Sequence, residues 1–235
     1  MIEGLQLAAR FSLPAFRNGS CGTLDLEEKH FLDCILEGKI DGLEKKFSRF
    51  FTMGPYLRTL AKIVGGQPFS PDVVSAYWIG NDSLFKAQPI HFDYLLSEFV
   101  SQGIPQDRLD HIRKNAPNRF IPLHLYQVLL SHLAGGSSLE DLQGVNDCMV
   151  RFGVVRKLKG ETAKANTLSL SAQKGKLVFI TKEINADFDK RFFKPGLKEG
   201  DIVAIHLGWV CKVLSPMETA NLIYSTKEIV KEYNL

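Results

Sequence analysis

The order of apolar patterns along the chain predicts an α+β protein: a helical first part, then a small β-barrel, then a C-terminal helix. Three observations carry this prediction. Apolar residues recur at helical spacing up to about residue 143 and at strand-like spacing after it. The segment Gly135-Gly136-Ser137-Ser138 ends the last helical run with small flexible residues, which marks a linker. Ser215-Pro216-Met217-Glu218 combines a capping hydroxyl, a first-turn proline and a capping-box glutamate, which opens a final helix.

The helices are read in order from their punctuation. Asp25 with Glu28 makes an N-terminal capping signature, and Gly38 closes that segment. Asp41 with Glu44 repeats the signature ahead of Leu43, Phe47, Phe50 and Phe51. Pro55 fits a first helical turn, with Leu57, Leu60, Ala61 and Val64 as its apolar stripe and Gly65-Gly66 as its stop. Ser70-Pro71 opens a helix through Val74, Tyr77 and Trp78. Phe92, Leu95, Leu96, Phe99 and Val100 form a further stripe, and Leu125, Val128, Leu129 and His132 another after Pro122.

Beyond Gln143, Met149 to Leu158, Thr167 to Ser171, Lys176 to Thr181 and Ile202 to Leu214 are β-rich runs separated by Gly, Asn, Lys and Pro turns. Short strands at this spacing predict a small barrel. The expected organisation is a helical domain over residues 1–143 and a barrel with its C-terminal helix over 144–235. Leu222, Thr226, Ile229 and Tyr233 give that last helix one packing face.

Composition excludes several classes. With 235 residues, 45% hydrophobic and 23% charged, the chain is neither disordered nor collagen-like nor a coiled coil. No window approaches the roughly 18 uninterrupted apolar residues of a membrane span, and Met1-Ile2-Glu3 does not open a secretory signal, so the expected location is the cytoplasm. The net charge of +3 conceals an asymmetry. Residues 1–143 hold 14 Lys/Arg against 16 Asp/Glu, and residues 144–235 hold 15 against 10, so −2 and +5 make the total. The four cysteines, Cys21, Cys34, Cys148 and Cys211, are too few and too scattered for a disulfide framework, and no CxxC pair suggests structural zinc.

Cys148 stands five residues before Gly153 and a valine-rich strand, in Asn146-Asp147-Cys148-Met149-Val150-Arg151-Phe152-Gly153-Val154-Val155. Downstream come a Gly200-Asp201 turn, the aliphatics Ile202 to Ile205, His206, the step Leu207-Gly208-Trp209 and the capped helix. Together these resemble the HypC-type chaperones of nickel-iron hydrogenase maturation. The resemblance implies an OB-like barrel with a trailing helix, in which a cysteine and a nearby histidine hold an iron unit of the Fe(CN)2CO type. Such a chaperone collects that unit on a HypD-type scaffold and delivers it to the hydrogenase large-subunit precursor. Carried over, Cys148 is the iron thiolate and His206 its imidazole neighbour, with Arg151 and Trp209 as partner-binding residues. The sequence departs from the family pattern in two places: Cys148 follows 147 residues, and Phe152 stands where a proline is usual. In the helical part, Gly54-Pro55-Tyr56-Leu57 and Val73-Val74-Ser75-Ala76-Tyr77-Trp78-Ile79-Gly80-Asn81 resemble an uncharacterised hydrogenase-associated family.

The chemistry of the pair is coherent, because a thiolate and an imidazole suit iron and two protein ligands leave the metal free to depart. Arg151 or Lys212 is expected to favour the Cys148 thiolate. Cys211 is a third candidate ligand. Strict alternation sets it on the opposite face from His206, and a bulge at Gly208 is the expected device for reuniting them.

Two other functions are weighed. Cys21, in Asn18-Gly19-Ser20-Cys21-Gly22-Thr23, is a candidate nucleophile if His124 or His91 lies near it as base. Residues 151–198 hold 12 Lys/Arg against 4 acids, and Phe179, Phe188, Phe192 and Phe193 are candidate stacking faces for single-stranded nucleic acid. Cys34, beside Phe31 and Ile35, is expected in the core.

Overall fold

The computed structural model describes residues 1–20 and 26–235. Its helices come first: α1 (Ile2–Arg17), α2 (Glu28–Glu37), α3 (Leu43–Ser48), α4 (Met53–Val64), α5 (Pro71–Trp78), α6 (Pro89–Ser101), α7 (Gln106–Asn115), α8 (His124–Ala134) and α9 (Gln143–Cys148). The strands follow as β1 (Arg151–Lys159), β2 (Thr162–Gln173), β3 (Lys176–Asp187), β4 (Ile202–His206) and β5 (Trp209–Val213), and α10 (Pro216–Tyr233) ends the chain. The α+β class is therefore as expected.

Several helix boundaries follow their punctuation and others do not. The α10 capping box forms as read: the Ser215 hydroxyl accepts from the Glu218 N–H, and Glu218 accepts from the Ser215 N–H. Pro71 takes the first turn of α5. At α2, Asp25 lies outside the described residues and the box is closed by Glu27 with His30. At α3 the expected Asp41 cap is replaced by Gly42 in the left-handed conformation, with no side-chain cap. The helix α1 was not expected from the sequence, and its Leu5, Ala8, Ala9 and Phe11 are fully enclosed, with α2 and α5 packed against it. Gly4 permits that contact, since a Cβ there meets the Phe69 carbonyl oxygen at 2.1 Å.

The helical region also runs further than residue 143. Gln143–Cys148 forms the short α9, so Cys148 ends a helix rather than opening a strand. Six residues are too few to display helical periodicity, which explains the earlier boundary in the sequence. The strands are longer than their apolar runs, because β2 and β3 extend as a hairpin in register from Gln173↔Lys176 to Thr162↔Asp187. Polar pairs such as Lys164 with Glu183 lie on that extension and hide it from a hydrophobic pattern.

The five strands pair antiparallel as β1–β2, β2–β3, β1–β4 and β4–β5, and one parallel bridge, Asp187↔Trp209, joins β3 to β5 and closes the ring. Ile202 to Leu214, read as one run, is a hairpin. Leu207 and Gly208 are its two turn residues, both at positive φ (50° and 75°), as a two-residue primed turn requires. The bulge lies elsewhere than expected: the register shifts so that Cys211 is the extra residue of β5.

One buried apolar cluster runs through both regions, from Leu5 to Val230. At the seam, Trp78 of α5 stacks on Phe11 of α1 at 5.1 Å and meets His206 of β4 at 5.3 Å.

Candidate metal centre at the helix–sheet seam

Cys148 and His206 are brought together as the sequence predicts, with the sulfur 4.0 Å from Nε2. One side chain and one main-chain hydrogen bond fix this approach. Asn146, in α9, donates through its amide to the Leu170 carbonyl and accepts from the Leu170 N–H, which pins α9 to β2. The Leu207 N–H donates to the Asp147 carbonyl, which pins the β4–β5 turn to the same helix end. Cys148 is thus held from one side and His206 from the other.

The orientation of His206 defines its chemistry. Its Nδ1 lies 2.7 Å from the Phe11 carbonyl oxygen, an acceptor only, so Nδ1 carries the proton and donates. Nε2 therefore presents its lone pair toward the Cys148 sulfur. Phe11 lies in α1, three residues before Pro14. Burial pushes the imidazole down to about 4, against the opposing effect of the Phe11 bond, so the ring is neutral near pH 7. A neutral imidazole with one nitrogen anchored to a carbonyl and the other directed at a thiol is the arrangement a metal-binding histidine needs.

A third group completes the cluster. His124, the first residue of α8, sits with Cys148 and His206 so that one ligand atom from each lies within 4.8 Å of the others. Its ring meets that of His206 edge-on at 5.0 Å and lies against Trp78 at 4.5 Å. Burial drives its pKa well below the usual histidine value, and its Nδ1 is enclosed with no hydrogen-bond partner. The sequence reading weighed His124 only as a base for Cys21, and Cys21 lies outside the described residues. The signal that marks His124 as functional is spatial. Nothing in its spacing links it to residues 24 and 82 positions downstream.

The three groups line a cavity of about 40 Å³, together with Ser12, Thr52, Met53, Tyr77, Trp78 and Gln127. Gln127 links two of those walls, since its amide donates to the Thr52 hydroxyl at 2.7 Å and its carbonyl accepts from the Tyr77 hydroxyl. Thr52 and Gln127 also line a second, largely apolar pocket of about 500 Å³ between α4, α6, α7 and α8. These two side chains are the shared wall of the small cavity and the large one.

The remaining expectations resolve differently. Cys211 is buried, but its thiol donates to the Trp209 carbonyl at 3.5 Å, and burial holds its pKa far above the usual thiol value. His124 occupies the place in the cluster that Cys211 was expected to take. Arg151 is a correction: it is only 7% exposed and donates to the Ser169 hydroxyl, so it is not a surface group for a partner. Arg151 opens β1 on the face that alternates as the buried one with Gly153 and Val155. Trp209 is half-buried beneath Arg17, whose guanidinium lies 4.4 Å from the ring centre. Lys212 pairs with Glu218 at 2.6 Å. Among the candidate stacking faces, Phe188, Phe192 and Phe193 are buried, which removes three of the four from any nucleic-acid surface. Cys34 is fully buried, as expected.

No helix is long and apolar enough to cross a membrane among the described residues. No curated protein matches the chain, and no solved structure does. A family model, described as the family of unknown function DUF6390, matches residues 1–235, so the chain belongs to that family and both regions belong to it together.

Proposed function

We propose that this protein is a non-enzymatic metallocentre-handling factor of nickel-iron hydrogenase maturation, acting in the cytoplasm, with Cys148 and His206 as the protein ligands of an Fe(CN)2CO-type cargo. The observation that carries the reading is the approach of the Cys148 sulfur to the lone-pair nitrogen of a buried, neutral and oriented His206. In this reading the ring of five strands with α10 is an OB-like barrel, and the partners are a HypD-type scaffold and the hydrogenase large-subunit precursor.

The donor set fits a low-spin iron cargo, because a soft thiolate and a neutral imidazole both bind such iron. The space sets a condition on the cargo. A water molecule's share of the liquid is about 30 Å³, so a cavity of about 40 Å³ holds an ion and one small ligand. Three diatomic ligands require the Thr52–Gln127 wall to part toward the larger pocket. The chain's own contribution is then to hold the iron by two side chains, to orient the imidazole through the Phe11 carbonyl and to shield the cargo from water behind Trp78 and Gln127.

Infrared spectroscopy of protein co-produced anaerobically with hydrogenase maturation factors tests the reading. Cyanide and carbonyl bands are expected in the wild-type protein and are expected to vanish in Cys148→Ala. A folded wild-type protein that never acquires those bands would sink it.

A further inference from the structure

We propose that His124, Cys148 and His206 form a three-ligand site that retains a borderline-soft divalent transition-metal ion such as zinc, with one coordination position left open. It goes beyond the reading above: it uses the same cavity and two of the same ligands but rests neither on hydrogenase nor on an iron cargo, whose place a retained ion would take.

Four observations support it. The donor set, two imidazoles and one thiol, is a recognised combination for such ions, and three protein ligands with an open fourth position is the ligand number of reactive rather than purely structural zinc. Ligands of a tetrahedral ion with bonds of about 2.0–2.3 Å stand about 3.3–3.8 Å apart. The three groups lie within 4.8 Å of one another, and Cys148 and His206 at 4.0 Å, so modest side-chain rotation closes the set around an ion. The cavity of about 40 Å³ accommodates an ion with a single water. Finally, two residues lining the cavity bury polar atoms with no partner, Nδ1 of His124 and Nε1 of Trp78. A buried polar atom without a partner is costly, and an ion with its water places a polar partner inside the cavity that both residues line.

The ligands come from different regions of the fold. His124 begins α8, Cys148 ends α9 and His206 ends β4. A retained ion therefore ties the helical region to the sheet. Two ligands suit a labile carrier, and the third ligand, a second imidazole, is what makes this a retaining site.

The test uses the full chain, stripped with a chelator under reducing conditions and titrated with cobalt(II) as probe. Binding of one cobalt per chain is expected, with thiolate-to-cobalt charge-transfer absorption and the visible bands of four-coordinate cobalt. Both Cys148→Ser and His124→Gln are expected to weaken binding at least about 100-fold, since loss of even an outer-shell partner costs about 10–100-fold. His111→Gln, on the exposed side of α7, is expected to leave it unchanged. X-ray absorption of the zinc-loaded wild-type protein needs no variant to fold. One sulfur at about 2.3 Å with two imidazoles at about 2.0–2.1 Å is expected. One sulfur with a single imidazole, or binding that survives His124→Gln in a folded variant, overturns the proposal. Stoichiometric cobalt binding without cyanide or carbonyl bands keeps this inference and removes the hydrogenase reading; the bands with no cobalt site do the reverse.

Discussion

The helical region and the sheet are built from different interiors. The largest fully buried aromatic side chains, Tyr56, Tyr77, Tyr126, Phe11, Phe31 and Phe47, all belong to the helices. The enclosed positions of the sheet are mostly small or aliphatic: Ala163, Ala165, Val203, Ala204 and Ile205. Aromatic side chains bury large areas and interlock, so the helices have much of their stabilisation within themselves. The sheet is thinner and leans on the helices at the seam, through the His206 bond to Phe11, the Arg17 contact with Trp209 and the Asn146 bonds to Leu170. The difference teaches where polar chemistry is tolerated. Two buried histidines and a buried asparagine sit where one region must be registered against the other.

The strongest way to break this comparison is to remove the residue shared by both interiors. Trp78→Ala deletes a ring that stacks on Phe11 and contacts Tyr77, His124 and His206. It is expected to cost about 3–5 kcal/mol, read as a lower urea midpoint. Loss of helical and sheet signals in one transition is expected; a sheet that persists after the helices melt would show that the regions are energetically separate.

Acid is the next lever. The folded-state value of His206, about 4, lies below the ordinary value of 6.5, so the unfolded chain takes up its proton first. Stability is therefore full above pH 6.5 and falls as pH drops toward 4. At 1.36 kcal/mol for each pH unit, His206 accounts for about 3 kcal/mol of that loss, and His124 adds to it in the same direction. Urea midpoints of metal-free protein measured from pH 7.5 to 4.5 check this. His206→Gln is expected to flatten the profile, and an unchanged slope would contradict the buried neutral ring.

The finest probe is Asn146→Ala, which takes the Asn146 partner from the Leu170 N–H and carbonyl at the seam and leaves the aromatic interior of the helices untouched. A loss of about 2 kcal/mol is expected, together with faster alkylation of Cys148 as α9 loosens. Equal destabilisation with no change at Cys148 would mean that Asn146 stabilises β2 without positioning the thiol.

Much of the fold was legible because it rests on local rules. The Ser215 box, the Pro71 start, the change from helical to strand periodicity and the enclosure of Cys34 all follow from neighbours in sequence. The pairing of Cys148 with His206 came through a pattern resembling a known family, and the structure places the two together. Other features were hidden for physical reasons. The α9 helix is shorter than the window that reveals a period. The polar extension of the β2–β3 hairpin has no apolar alternation. Gly208 has the positive φ that its type suggested, but the hairpin turn uses it, and Cys211 carries the bulge.

Local patterns along the chain specify the class of the fold and the succession of helices, strands and a last helix, and the family resemblance pointed to two of the three groups at the seam. Only the tertiary structure decided that His124 joins them, that Cys211 turns toward the Trp209 carbonyl and that Arg151 is enclosed. The reason is one of range. Caps, turns and periodicity act across a few residues, whereas a ligand set is defined by which side chains meet in space, and residues 124, 148 and 206 meet only because aromatic packing and the Phe11 carbonyl hold α8, α9 and β4 against one another.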